Sequence, residues 1–217
     1  MTPRPTTSAS AALRRLLDWR RPAPEPAPPQ VPVAAENLAP TSSVRFFPHW
    51  NPYCVKQLHG LIALILDIQA RAEHHRVWVE CGSLHGESAA LFLAFPFVEQ
   101  LHCIDIRSFP TLQQRLRPLL KSGRCVFHLG TSQERAAEIP VADVVYIDAD
   151  HSYRAVRDDI AVWYPRITPG GALCGHDYYQ EKHWPGVKRA VDDFLRREQL
   201  TLTTYADSSW MVLKPKA

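Results

Sequence analysis

The sequence predicts an α/β protein, a mostly parallel sheet with helices on both faces. Three observations support this. Short β-branched runs alternate with helix-period stretches from about residue 54 to 214. A strand, a glycine turn and a helix follow one another over Val77–Ala94. Acids fall at the ends of four of the predicted strands, at Glu80, Asp105, Asp148 and Asp177.

The elements follow in order. Residues 1–42 read as a docking or disordered arm. Ala11–Arg21 has the spacing of a short amphipathic helix, and its Arg-rich, acid-poor composition also fits an organelle transit peptide. Pro22, Pro24, Pro26, Pro28, Pro29 and Pro32 then make an extended linker, because proline donates no backbone hydrogen bond. A single domain is expected over 43–217. At its entrance stand Phe46, Phe47, His49, Trp50 and Tyr53, either packing the arm onto the core or lining a pocket.

Val55, Leu58, Leu61, Ile62, Ile65 and Ile68 recur at helical spacing within Cys54–His75. Val77–Cys81 is a buried strand, and Ser88–Ala94 starts a helix. Leu101–Ile106 is a strand, Leu112–Lys121 a helix despite Pro118, and Cys125–Leu129 a strand. Ser132–Glu138 is a short helix with Ser132 as its cap. Asp143–Asp148 is a strand, and Ser152–Tyr164 a helix stopped by Pro165. Pro169-Gly-Gly is a turn before a strand at Ala172–Gly175. Val187–Glu198 is a helix, and Leu200–Tyr205 with Trp210–Lys214 forms a closing hairpin.

Composition narrows the function. The net charge of +3 is small, and Arg4, Arg14, Arg15, Arg20 and Arg21 supply much of the basic excess, so no basic stripe suggests nucleic acid. Lys56 and Asp67 interrupt an apolar run already too short to span a bilayer, so no membrane partner is expected. Cys54, Cys81, Cys103, Cys125 and Cys174 form no C-x-x-C, and read as reduced thiols of a cytoplasmic protein.

Gly82 and Gly86 allow a tight turn and a close backbone approach to a ligand. Their G-x-x-x-G spacing is not that of a dinucleotide site, and Glu80 and Glu87 would repel a pyrophosphate. A cationic sulfonium ligand would not be repelled. Asp105 lies 19 residues beyond Gly86 (105 − 86), a distance suited to ribose hydroxyls. Asp148-Ala-Asp150-His151-Ser-Tyr153 and His176-Asp177-Tyr178-Tyr179 follow two strands. Such loops either hold a divalent cation or form a metal-free polar network. His151 has the context of a general base.

Val-Glu80-Cys-Gly82-Ser83-Leu-His-Gly86-Glu-Ser88, Ile104-Asp105, Asp143-Val-Val-Tyr-Ile-Asp148-Ala-Asp150-His151-Ser-Tyr153, Pro169-Gly-Gly-Ala-Leu-Cys-Gly-His176-Asp177-Tyr178 and Pro185-Gly-Val-Lys-Arg-Ala-Val together resemble the class I S-adenosylmethionine-dependent methyltransferases. The similarity is to the small bacterial group with the macrocin-type sugar O-methyltransferases, and it covers residues 50–214. It implies a Rossmann-like seven-stranded sheet, order 3-2-1-4-5-7-6, with strand 7 antiparallel.

The resemblance also implies residue roles. Glu80, Gly82, Ser83, Gly86 and Ser88 would frame the methionine end of S-adenosylmethionine. Asp105 and Ile106 would meet the ribose side, Thr131 and Ser132 the adenine, and Asp148 the cofactor's edge. Asp148 and Asp177, with His176, would hold Mg2+, and His151 and Asp148 would activate the acceptor. Cys81 departs from the usual aliphatic residue, and His176 stands where some metal-dependent relatives carry an acid. The implied activity is methyl transfer to a hydroxyl of a small molecule, a sugar or another metabolite, by a monomer or homo-oligomer. The alternatives are a metal-free methyltransferase using His151 and a non-catalytic cofactor-binding scaffold.

Overall fold

A computed structural model describes residues 52–139 and 141–216, with side chains from Leu58 onward. The arm, the proline-rich linker, the aromatic cluster and the Cys54 side chain lie outside the described residues. The elements run α1 (Pro52–Arg71), β1 (Val77–Cys81), α2 (Glu87–Ala94), β2 (Gln100–Asp105), α3 (Pro110–Arg115), α4 (Arg117–Ser122), β3 (Cys125–Leu129) and α5 (Ser132–Arg135). They continue with β4 (Ala142–Ile147), α6 (Tyr153–Trp163), β5 (Ile167–Gly175), α7 (Pro185–Glu198), β6 (Leu202–Thr204) and β7 (Trp210–Leu213).

The sheet has seven strands in the order β3-β2-β1-β4-β5-β7-β6. The first five are parallel, and β7 is antiparallel to both of its neighbours. Order and strand directions agree with what the resemblance implies.

Both faces of the central strands are buried, which is why β1 and β4 read as continuous apolar runs. On one face Trp78, Tyr146, Cys174 and Met211 pack with Leu64, Ile65 and Ile68 of α1 and Phe92 of α2. The Phe92 ring stands 5.0 Å from Trp78 and 5.2 Å from Tyr146. On the other face Val79, Val145 and Leu173 are covered, and α6 and α7 bury Val156, Ile160, Trp163, Val191 and Phe194. Removing each such side chain from water contributes about 1.5–3 kcal/mol.

Three local expectations need correction. The helix expected over Leu112–Lys121 is two, broken at Leu116 (φ −95°, ψ 5°), because Pro118 has no N–H to return to the preceding turn. Thr131, not Ser132, caps α5: its hydroxyl accepts from the Glu134 N–H at 3.3 Å, and the Glu134 carboxylate accepts from the Thr131 N–H at 3.0 Å. The Pro169-Gly-Gly segment is not a turn before the strand but lies inside β5, where the pairing with β4 shifts between Ala142 and Val144. Asp143 fills that irregularity by accepting from the N–H groups of Arg76 and Val77 and from the Thr168 hydroxyl.

Cys81, Cys103, Cys125 and Cys174 are free and buried, as reduced thiols would be. Among the described residues no helix is long and apolar enough to cross a membrane.

Candidate active site

The carboxyl ends of β1, β2, β4 and β5 open into one cavity of about 910 Å³. This is where an open α/β sheet places its ligands. Gly82 makes the first wall. Its φ of +90° favours glycine, and a Cβ there would overlap the Asp148 carbonyl oxygen. The β1 turn and the Asp148 loop therefore meet backbone to backbone, tied by Asp148 N–H to the Cys81 carbonyl at 2.9 Å, while Gly82 N–H holds the turn to the Ile104 carbonyl of β2 at 2.8 Å.

The expected cofactor residues divide into two sets. Gly82, Ser83, Ser88, Asp105, Ile106, Thr131, Ser132 and Asp148 line the cavity. Glu80 and Gly86 do not. Glu80 is fully buried beneath the turn, where it accepts a short hydrogen bond from the Ser88 hydroxyl. Burial pushes its carboxyl up to about 7, against that hydrogen bond. Gly86 serves as the N-cap of α2 at φ 76°, facing Leu112 and Leu116. Asp105 accepts from the Leu84 N–H at 2.8 Å and from the Arg107 N–H at 2.9 Å, one on each carboxylate oxygen. Beside it the side chains of Leu84 and Ile106 are exposed.

Ser132 is committed elsewhere than to the helix cap. Its oxygen accepts from the Trp163 indole N–H at 2.6 Å, and its hydroxyl reaches Cys81 Sγ at 3.3 Å.

The loops after β4 and β5 converge. His151 Nε2 lies 2.7 Å from Asp177 Oδ2 and 3.3 Å from Asp148 Oδ1. His176 Nδ1 lies 3.1 Å from the other Asp177 oxygen. Asp177 holds this bridging position in the left-handed region at φ 61°, an uncommon conformation for a side chain other than glycine. Burial alone would lower the His151 imidazole, but the hydrogen bonds and charges of Asp148 and Asp177 outweigh it and carry it to about 10. His176 is likewise carried to about 9 against its burial, chiefly by Asp177. The Asp177 carboxyl, despite burial, is held well below the usual carboxylate range by the two imidazoles.

Asp148, His151 and Asp177 each offer a ligand atom, all within 4.8 Å of one another. Two carboxylates and one imidazole fit a divalent cation, the oxygens suiting Mg2+ or Mn2+ and the imidazole suiting the later metals. His176 lies outside that set. Its ring backs Asp177, and its buried Nε2 has no hydrogen-bond partner.

Four residues that line the cavity were not singled out from the sequence. Asp159 of α6 is raised to about 7 by burial and accepts from Gln133 at 2.6 Å. Asp207, between β6 and β7, accepts from the Ser209 N–H at 3.0 Å and hydroxyl at 2.8 Å. Tyr146 and Trp184 complete the group. Among the described residues, seven carboxylic side chains and two imidazoles line the cavity, and no lysine or arginine does.

Residues 79–178 match a family described as a methyltransferase domain. That match covers 100 residues (178 − 79 + 1), under half of the 217-residue chain. Solved structures with the same fold include CalS11, a TDP-rhamnose 3′-O-methyltransferase of calicheamicin biosynthesis, with 18% identity, a TM-score of 0.56, and coverage of 74% of this chain and 79% of that one. Another is the O-methyltransferase TomG of Streptomyces achromogenes in complex with SAM, with 13% identity, a TM-score of 0.57, and coverage of 77% and 91%. Among curated proteins, uncharacterized protein R132 of Acanthamoeba polyphaga mimivirus is 25% identical over 126 residues, 53% of this chain. The match spans 57% of that relative's length.

Proposed function

We propose that this chain is a class I methyltransferase, which transfers the methyl group of S-adenosylmethionine to a hydroxyl of a small molecule, a sugar or another metabolite. Asp148, His151 and Asp177 form its acceptor-activating end. The observation that carries this reading is the cavity lining: among the described residues, carboxylates and two imidazoles without lysine or arginine, gathered at the carboxyl ends of four strands. Such a lining favours a sulfonium and disfavours a pyrophosphate.

The residues divide the work. The two oxygens of Asp105 keep free lone pairs beside their backbone donors, and these suit the two ribose hydroxyls. Exposed Leu84 and Ile106 offer apolar cover for the adenine end, with Thr131 and Ser132 on its other side. Ser83 and Ser88 border the methionine end, with Glu80 holding the Ser88 hydroxyl from below. Alignment of donor sulfur and acceptor oxygen is the protein's main contribution to an in-line displacement.

The acceptor must also lose its hydroxyl proton. His151 can take that proton only when its own has left, and the carboxylates at 2.7 and 3.3 Å hold it there. Asp148 and Asp177 would hold a divalent cation, such as Mg2+, with His151 beside them. A bound cation supplies Lewis acidity to the acceptor oxygen. With their charge balanced by such a cation, the two carboxylates would hold the His151 proton less firmly.

A second reading, metal-free transfer with His151 as sole base, draws on the same two short contacts, which already orient the imidazole. The test is calorimetry with S-adenosylmethionine and its demethylated product, followed by turnover on a hydroxylated acceptor panel with EDTA or added Mg2+. EDTA should lower turnover by about tenfold or more, with Mg2+ or Mn2+ restoring it. Turnover indifferent to EDTA, with Asp177→Ala retaining most activity, favours the metal-free reading. Cofactor binding with no methylated product from any acceptor favours a scaffold.

A further inference from the structure

Trp184 has no role in the reading above, yet it sits at the reacting end. It lines the cavity and is 45% exposed. Its ring stacks on that of His151, with centroids 4.6 Å and planes 25° apart. The local backbone holds it in that place. Its N–H donates to the Gln180 carbonyl at 2.6 Å, and it immediately precedes α7. Two residues on, Gly186 presses so closely on the His151–Tyr153 backbone that a Cβ would overlap the His151 carbonyl oxygen and the Tyr153 nitrogen. The start of α7 is therefore fixed against the loop that carries His151. A large aromatic ring held in a fixed pose and half open to a ligand cavity is a recognition surface.

Charge narrows what can lie on it. Among the described residues, no lysine or arginine lines the cavity wall. Three cations near the cavity are engaged: Arg115 pairs with Glu87 at 3.1 Å, Lys188 with Asp192 at 2.7 Å, and Arg189 sits over the Tyr153 ring. A phosphate-bearing acceptor would find no lysine or arginine among the described lining residues, and the two imidazoles there already face Asp148 and Asp177.

We infer that Trp184 is the platform for the acceptor, an uncharged or cationic hydroxylated ring with a flat apolar face, and that nucleotide-linked sugars are excluded. The inference rests on the methyl-transfer reading above. The flat face is either an aromatic ring or the C–H face of a sugar, and both pack on indole in the same way.

The experiment uses the full chain with Trp184→Phe and Trp184→Ala variants. The acceptor probes are catechol, methyl α-L-rhamnopyranoside and TDP-rhamnose, and calorimetry with S-adenosylhomocysteine reports the cofactor end separately. The native chain should methylate catechol or the rhamnoside, identifying the source of the flat face, and leave TDP-rhamnose untouched. Trp184→Ala should raise the acceptor KM by about tenfold while S-adenosylhomocysteine affinity stays within about twofold. Trp184→Phe, which keeps a ring, should recover most of that loss. Preference for TDP-rhamnose, an acceptor KM unchanged in Trp184→Ala, or S-adenosylhomocysteine binding without turnover of either ring probe would overturn the assignment. Failure to bind S-adenosylhomocysteine would overturn the broader reading as well, and calorimetry without acceptor tells the two failures apart.

Discussion

Asp177→Asn should destabilise the protein near neutral pH and much less at alkaline pH. Asp177 gives one oxygen to His151 at 2.7 Å and the other to His176 at 3.1 Å. The amide keeps the shape and removes the charge. His151 rises from an ordinary 6.5 to about 10, burial opposing and the bonds and charges of Asp148 and Asp177 prevailing. That difference (10 − 6.5 = 3.5) amounts to about 5 kcal/mol at ~1.4 kcal/mol per pH unit. Two carboxylates share it, and solvent screens a ring that is 23% exposed, leaving about 2 kcal/mol for Asp177.

The sign follows from linkage. A histidine raised in the folded state contributes stability in full below its unfolded value and loses it as pH climbs through about 10. His176, raised to about 9, acts in the same direction. Asp177, held low, sets the acid edge: its contribution is present above the ordinary aspartate range and lost as pH falls through the depressed value. Urea denaturation with EDTA present should show a deficit of about 2 kcal/mol near pH 7, shrinking below about 0.5 kcal/mol above pH ~10.5. A deficit independent of pH would refute charge pairing as its source.

Two further outcomes follow from the packing. Gly82→Ala puts a methyl group into the Asp148 carbonyl at a backbone angle alanine disfavours, so S-adenosylhomocysteine affinity should fall by about tenfold or more in calorimetry, with a lower melting temperature. Ser132→Ala leaves the Trp163 indole N–H without its 2.6 Å acceptor in a buried site, at a cost of about 1–3 kcal/mol in urea denaturation.

What could be read from the sequence was what local pattern controls. The β1 and β4 runs and the acids that follow β2, β4 and β5 needed only strand composition and the rule that ligands gather at strand ends. Strand order came from resemblance, because periodicity does not encode which strands pair. The cap of α5 was legible but misread: Thr131 and Glu134 are three apart, the capping-box spacing, whereas Ser132 lacks such a partner. Asp159 also left a signal, a carboxylate within the apolar stripe of Val156, Ile160 and Trp163. Pro169-Gly-Gly misled because the irregularity it serves depends on Asp143 in the neighbouring strand. Asp207 and Trp184 reach the cavity from loops remote in sequence, so only tertiary packing brings them in.

Among the described residues no lysine or arginine lines the cavity wall, which has a consequence for the proposed reaction. On that reading the methyl donor enters as a sulfonium and departs as a neutral thioether, so the wall would hold the fresh reagent more strongly than the spent one. Feedback by accumulating by-product is correspondingly weak at low ionic strength. Added salt screens the wall, narrows that preference and makes the by-product a stronger inhibitor relative to donor affinity.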